Sequence, residues 1–183
     1  MGQYYKIIFL ADTKHGKEII RMWIDPWCYQ LGSKLMEHSY IRNGNPLMDQ
    51  LEFLLSPEGM FYKGRIVWAG DYADPEVDSE SSQNLYQLTV ENGTLQVPRF
   101  KISNTYRYIV NHTKKQYVDK NKIKDITDAI HPLALLVSEG NQRGGGDYFG
   151  TNEELCGTWA RDVISMENSI FDTYSELECN FME

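Results

Sequence analysis

A chain of 183 residues with 42% hydrophobic, 13% aromatic and 24% charged residues has the make-up of a folded globular protein, and its twelve Tyr, seven Phe and four Trp exclude disorder throughout. Lys plus Arg number 18 against 26 Asp plus Glu, a net charge of −8, which excludes a generic binder of extended nucleic acid, since that binding is driven by neutralising phosphates and releasing their counterions. The longest apolar runs, residues 7–11 and 133–137, fall far below the ~20 residues that span a bilayer, so no membrane segment is expected.

Residues 4–11 and 18–24 are β-branched or aromatic runs separated by Asp12-Thr13-Lys14-His15-Gly16-Lys17, the pattern of an opening β-hairpin. Lys34-Leu35-Met36-Glu37-His38-Ser39-Tyr40 mixes polar and apolar residues as a strand or short helix with one wet face does. From Pro46, the spacing of Leu47, Met48, Leu51, Leu54 and Leu55 predicts an amphipathic helix stopped by Ser56-Pro57-Glu58-Gly59. Residues 61–69 alternate as a strand, and residues 74–82 lose all periodicity, as a mobile acidic loop would. Residues 85–90 and 95–100 flank Asn92-Gly93, a hairpin signal. A further strand pair is expected at 106–110 and 116–119, a buried strand at 133–138 and a last strand at 158–165. The sum is a single α+β domain over residues 1–165, with a mainly antiparallel sheet and a few short helices. The acidic stretch 166–183 follows as a docked helix or a tail.

The N-terminus lacks the basic lead and long apolar stretch of a secretory signal, so the mature chain is expected to begin here. Cys28, Cys156 and Cys179 are odd in number and widely spaced, which fits neither a disulfide framework nor a zinc knuckle and points to a reducing cytoplasm. Oligomeric state has no signature in the sequence.

The most unusual stretch is Glu139-Gly140-Asn141-Gln142-Arg143-Gly144-Gly145-Gly146-Asp147-Tyr148. Successive glycines let backbone N–H groups converge on an anion, and Arg143 is suited to a bidentate phosphate or carboxylate contact. Glu139, Arg143, Gly144, Gly145, Gly146 and Tyr148 are therefore candidate ligand-binding residues. The segment is neither a P-loop nor a dinucleotide fingerprint, because GK[ST] and GxGxxG are both absent. Its structural alternative is a surface connection. Four further residues are candidates for acid–base work: His38, His131 before Pro132, and Asp71 and Asp147, which both stand in Gly-Asp-Tyr triplets. For the histidines the alternative is structural hydrogen bonding, and for the aspartates ordinary turn chemistry. No HxH, HExxH or cysteine pair fixes a metal site, and neither a metal nor another cofactor is expected. Residues 111–117 with Lys120, Lys122 and Lys124 read as a solvated hairpin tip more readily than as a basic patch, and Trp159 as core. No Ser-His-Asp or Cys-His arrangement is apparent.

The strings Met1-Gly2-Gln3-Tyr4-Tyr5-Lys6, Lys34-Leu35-Met36-Glu37-His38-Ser39, Trp68-Ala69-Gly70-Asp71-Tyr72-Ala73-Asp74, Val110-Asn111-His112-Thr113-Lys114-Lys115 and His131-Pro132-Leu133 followed by Gly144-Gly145-Gly146-Asp147-Tyr148 resemble a group of uncharacterised proteins from tailed phages and giant DNA viruses. The resemblance spans nearly the whole chain and implies a viral protein of the infected cell's cytoplasm, but it carries no mechanism and no catalytic residue. Three functions follow as expectations. The first is a module that binds a small anionic ligand, a nucleotide or phosphorylated metabolite, and sequesters a host signal. The second is a hydrolase or transferase acting on such a ligand through His and Asp. The third is an interaction module whose partner is a host protein.

Overall fold

The N-terminal hairpin forms, with β1 (Tyr5–Ala11) antiparallel to β2 (Ile19–Ile24) and Ile7 opposite Ile24. These strands belong to a computed structural model that describes residues 2–11, 19–41, 44–77, 82–96, 98–99, 105–124, 129–140 and 145–182. The hairpin turn, part of the acidic loop, and Arg143 and Gly144 lie outside the described residues. Almost every β1 side chain is buried, because the strand is covered on both faces: Tyr5, Ile7 and Phe9 enter the main core, while Ile8 and Leu10 enter a smaller one.

The first long helix is α2, preceded by the single turn α1 (Leu35–His38). α2 (Pro46–Leu55) starts where Asn45 accepts from the Met48 N–H at 3.3 Å and Pro46 fills a position that needs no donor. It ends at Ser56, whose hydroxyl donates to the Phe53 carbonyl at 2.7 Å. β3 (Gly64–Gly70) begins later than its alternation suggests, since Phe61 and Tyr62 form a turn with Lys63 at φ 54°.

The hairpin expected around Asn92-Gly93 does not form. Asn84 caps α3 (Leu85–Leu88), its side chain accepting from the Gln87 N–H while Gln87 Oε1 accepts from the Asn84 N–H. That reciprocal capping box turns the first run helical. Among the described residues of the second run, β4 (Thr94–Leu95) is the strand, and it runs parallel to β2. α3 is pinned on the smaller core by Lys6, whose ammonium donates to Thr89 Oγ1 at 2.7 Å and lies 4.3 Å from the Tyr86 ring centre and 4.7 Å from that of Trp23.

β5 (Tyr108–Asn111) and β6 (Gln116–Asp119) make the expected antiparallel pair. The basic tip is largely paired off: Lys114 meets Asp162 at 3.4 Å, Lys122 meets Glu176 at 2.7 Å, and Lys120 meets Glu52. The buried strand expected over 133–138 is instead a buried helix, α4 (Pro132–Leu136), followed by the two-residue β7 (Ser138–Glu139). β8 (Val163–Glu167) starts later than expected, and β9 (Ser175–Glu176) follows it.

The result is an α+β domain: among the described residues, one mixed, mostly antiparallel sheet of nine strands, ordered β4-β2-β1-β3-β8-β5-β6-β9, with β7 also beside β3, and four short α-helices. One edge of β3 is shared between two partners, β8 at Gly64 and Arg65 and β7 at Trp68 and Ala69. The chain leaving β7 therefore emerges beside the end of β3. Residues 166–182 are extended rather than helical. They complete β8, pair through β9 with β6, and dock by burying Phe181, whose carbonyl accepts from the Ile130 N–H at 3.1 Å. The described part of the acidic loop is anchored by Asn84, which donates to the Asp71 and Ala73 carbonyls at 3.0 Å each. Among the described residues no helix is long and apolar enough to cross a membrane.

Candidate functional site

Three segments far apart in sequence meet over the side chains of Gln3 and Tyr5. Tyr5 lies opposite Gly70 in the sheet, which brings the end of β3 and the start of the acidic loop to the N-terminus. A Cβ on Gly70 would lie 2.3 Å from Gln3 Nε2, one on Gly140 2.4 Å from Gln3 Oε1, and one on Gly146 2.7 Å from the Tyr5 hydroxyl. Each is too close for a real side chain, so the glycines flanking residues 141–144 let the chain close over this buried pair. Gly146 is also held at φ 64°, where a side chain adds strain. Gly146→Ala is expected to cost about 1–3 kcal/mol in chemical denaturation, by the joint action of strain and overpacking. A neutral result would mean that Tyr5 has room to move aside.

Tyr5 donates to Gln3 Oε1 at 2.9 Å. Burial raises the Tyr5 pKa well above its ordinary value, and the carboxylates of Asp147 and Asp71 push it further. Both predicted aspartates thus bear on the same phenol. Asp71 Oδ1 accepts from the Tyr4 N–H at 3.0 Å, and Asp147 Oδ1 from the Met36 N–H at 3.4 Å. Partial burial raises the Asp147 pKa. Tyr148 is buried against Phe181, with ring centres 5.8 Å apart. Its hydroxyl donates to the Thr151 carbonyl at 2.5 Å, and the Thr151 N–H in turn donates to the Met182 carbonyl at 2.9 Å, which pins the C-terminal segment.

Glu139 is engaged by a residue that sequence reasoning passed over. Arg161 Nε donates to Glu139 Oε2 at 2.7 Å, while Arg161 Nη1 and Nη2 donate to Glu76 Oε2 and Oε1 at 3.0 and 2.6 Å. One guanidinium thus bridges the acidic loop and β7. The only local sign in the sequence is the Arg161-Asp162 pair, which names no partner.

The histidines stand apart from this rim. His38 is wholly buried, its Nδ1 2.9 Å from the Gly32 carbonyl and its Nε2 accepting from Trp68 Nε1 at 2.9 Å, which assigns the proton to Nδ1. Burial lowers its pKa to about 4. His131 is equally enclosed, capping α4 by accepting from the Leu133 N–H at 3.2 Å and contacting Glu52 through Nε2 at 2.8 Å. Burial lowers its pKa despite the carboxylate. The His131 N–H reaches the Ser39 carbonyl at 2.7 Å, yet the two rings serve different partners. Each ring uses both nitrogens in structural bonds, which leaves neither free to take a substrate proton.

A Ser-His contact, absent from every sequence motif, joins β8 to the end of β5. His112 Nε2 lies 2.8 Å from Ser165 Oγ, and Nδ1 lies 3.1 Å from the Tyr174 hydroxyl. Ser165 is completely buried and gives its proton to Glu167 at 2.7 Å, so the imidazole donates to the serine rather than activating it. The arrangement seats Phe171 and Tyr174, which meet the imidazole edge-on. Among the described residues no three His, Cys, Asp or Glu side chains are gathered as a metal site, and all three cysteines are free thiols.

No protein-family model, no curated protein and no solved structure matches this chain.

Proposed function

We propose that the chain binds a small anionic ligand, a nucleotide or phosphorylated metabolite, at the rim where residues 70–71, 139–140 and 145–147 meet over Gln3 and Tyr5. One observation carries the proposal: Gln3, 3% exposed, keeps its Nε2 donor without a hydrogen-bond partner among the described residues, at the point where both ends of the glycine-rich segment close in. A buried unpaired amide costs about 1–3 kcal/mol, and an acceptor on a ligand would recover that. The anionic character comes from the sequence of the segment itself, with Arg143 among its glycines. Asp71 and Asp147 stand ready beside it for sugar hydroxyls. Binding is preferred over turnover because His38 and His131, the candidate acid–base groups, are both spent in buried structural bonds. The resemblance of the motifs to viral proteins supplies the biological part of the proposal, a host signal sequestered in the cytoplasm.

Native mass spectrometry of gently purified protein, followed by denaturing extraction, tests this. A phosphorylated small molecule released from the wild-type chain and missing from Arg143→Ala is the expected result. An empty wild-type chain that carries a host polypeptide instead would move the function to a protein-interaction module.

A further inference from the structure

The rim already contains a filled oxyanion site. Arg161 presents two forks: Nε and Nη2 hold Glu139, while Nη1 and Nη2 hold Glu76 at 3.0 and 2.6 Å. Bidentate contact of this kind is how a guanidinium grips a carboxylate or a phosphate. The two carboxylates share one nitrogen, Nη2, so its protons are divided between Glu139 and Glu76 rather than serving either alone. The two are also mounted differently. Glu139 belongs to β7 and is fixed by pairing with β3, whereas Glu76 lies in no helix or strand, among residues 71–77 beyond the end of β3.

Arg161 is kept in place at a cost. Its φ is 64°, in the left-handed region that a side chain disfavours. The strained backbone is secured by its N–H on the Ile66 carbonyl at 3.0 Å and by Arg65 Nη1 on its own carbonyl at 2.9 Å. Glycine would hold that backbone without strain, but would not place a guanidinium beside the glycine-rich segment.

We propose that Arg161 is a second oxyanion-binding residue of the rim, in addition to Arg143, and that Glu76 occupies it as an internal stand-in that a ligand's phosphate or carboxylate displaces. Glu139 is then a positioning residue, holding the guanidinium plane while Glu76 exchanges. The exchange moves no covalent bond and conserves the charge pattern when a singly charged group replaces Glu76. This rests on the ligand-binding function above and deepens it: the ligand is recognised by a planar fork, and its apparent affinity is reduced by the fraction of molecules in which Glu76 fills the site.

The test is calorimetric titration of the full chain with adenosine monophosphate and, separately, inorganic phosphate. Glu76→Gln removes the competing charge but keeps the loop anchored, because the Asn84 contacts to Asp71 and Ala73 and the Glu76 N–H bond to the Gln83 carbonyl at 2.9 Å do not use the Glu76 carboxylate. It should bind adenosine monophosphate about tenfold more tightly than wild type, the gain expected if about one molecule in ten is open at rest. Arg161→Lys keeps the charge but lacks the fork and should lose most of the binding. If only adenosine monophosphate gains, the site reads a nucleotide; if inorganic phosphate gains equally, it reads the oxyanion alone. Either gain upholds the exchange. Wild-type binding that Glu76→Gln does not tighten, or that Arg161→Lys does not weaken, overturns the exchange and leaves the ligand-binding function standing. Absence of binding to every chain at millimolar ligand overturns both.

Discussion

Glu52→Ala should remove about 3–5 kcal/mol of stability, measured by urea denaturation, because it strands two buried donors at once. Glu52 on α2 is 7% exposed and accepts from Lys120 Nζ and His131 Nε2 through the same oxygen. Burial pushes its pKa up, but the His131 hydrogen bond and the Lys120 charge outweigh that and hold it below its ordinary value. The carboxylate therefore ties α2 to the turn at Lys120–Lys122 and to the cap of α4. Glu52→Gln keeps an acceptor but no charge, and an intermediate loss is expected. Replacing Glu52, Lys120 and His131 together by apolar residues of similar volume should recover much of the stability, since the large loss comes from broken pairing rather than from a large net contribution of the ions. A loss under about 1 kcal/mol for Glu52→Ala would mean that water reaches the triad.

Acid should weaken the fold well above the pH at which carboxylates titrate. His38 takes a proton near pH 6.5 in the unfolded chain and only near pH 4 in the folded one, because burial excludes the charged ring. A group whose folded pKa is depressed stabilises the fold above its unfolded pKa, and that contribution is lost as pH falls through the folded pKa. The window is thus about pH 6.5 to 4, and the shift corresponds to about 3 kcal/mol from this ring. His131, shifted in the same direction, adds to the loss. His38→Gln should flatten the dependence, since a glutamine amide can accept from Trp68 and donate to Gly32 without titrating. Urea midpoints for wild type and His38→Gln at pH 7, 5.5 and 4.5 measure it. Parallel curves for the two proteins would show that the imidazole is not the group responsible.

Elements with strong local grammar were legible in the sequence. The β1–β2 and β5–β6 pairs and the helix from Pro46 needed only period and turn chemistry, and the structure contains all three. Leu133-Ala134-Leu135-Leu136-Val137 was not legible, because a run buried on all sides has no period and reads equally as strand or helix. Pro132 at the first helical position and His131 accepting from the Leu133 N–H decide it, and histidine is an uncommon cap. Around Asn92-Gly93 a turn signal competes with the capping box of Asn84-Leu85-Tyr86-Gln87, and the capping box prevails. The aspartates and glycines of the rim were identifiable by type, yet their shared neighbours Gln3 and Tyr5 carry no motif and reach the rim only through the pairing of β1 with β3. The Glu76–Arg161–Glu139 bridge joins residues from three separate stretches of chain, and nothing local announces it.

The position of β8 has a consequence for the order in which the molecule can be made. β8 is made after β1, β3, β5 and β6, yet it sits in the middle of the sheet between β3 and β5. A nascent chain still lacking residues 163–167 holds two unjoined sheet fragments with their edges open to other chains. Closure of the sheet must therefore wait until residues 163–167 have left the ribosome, and a ribosome stalled before that point presents a partner for aggregation rather than a partly finished domain.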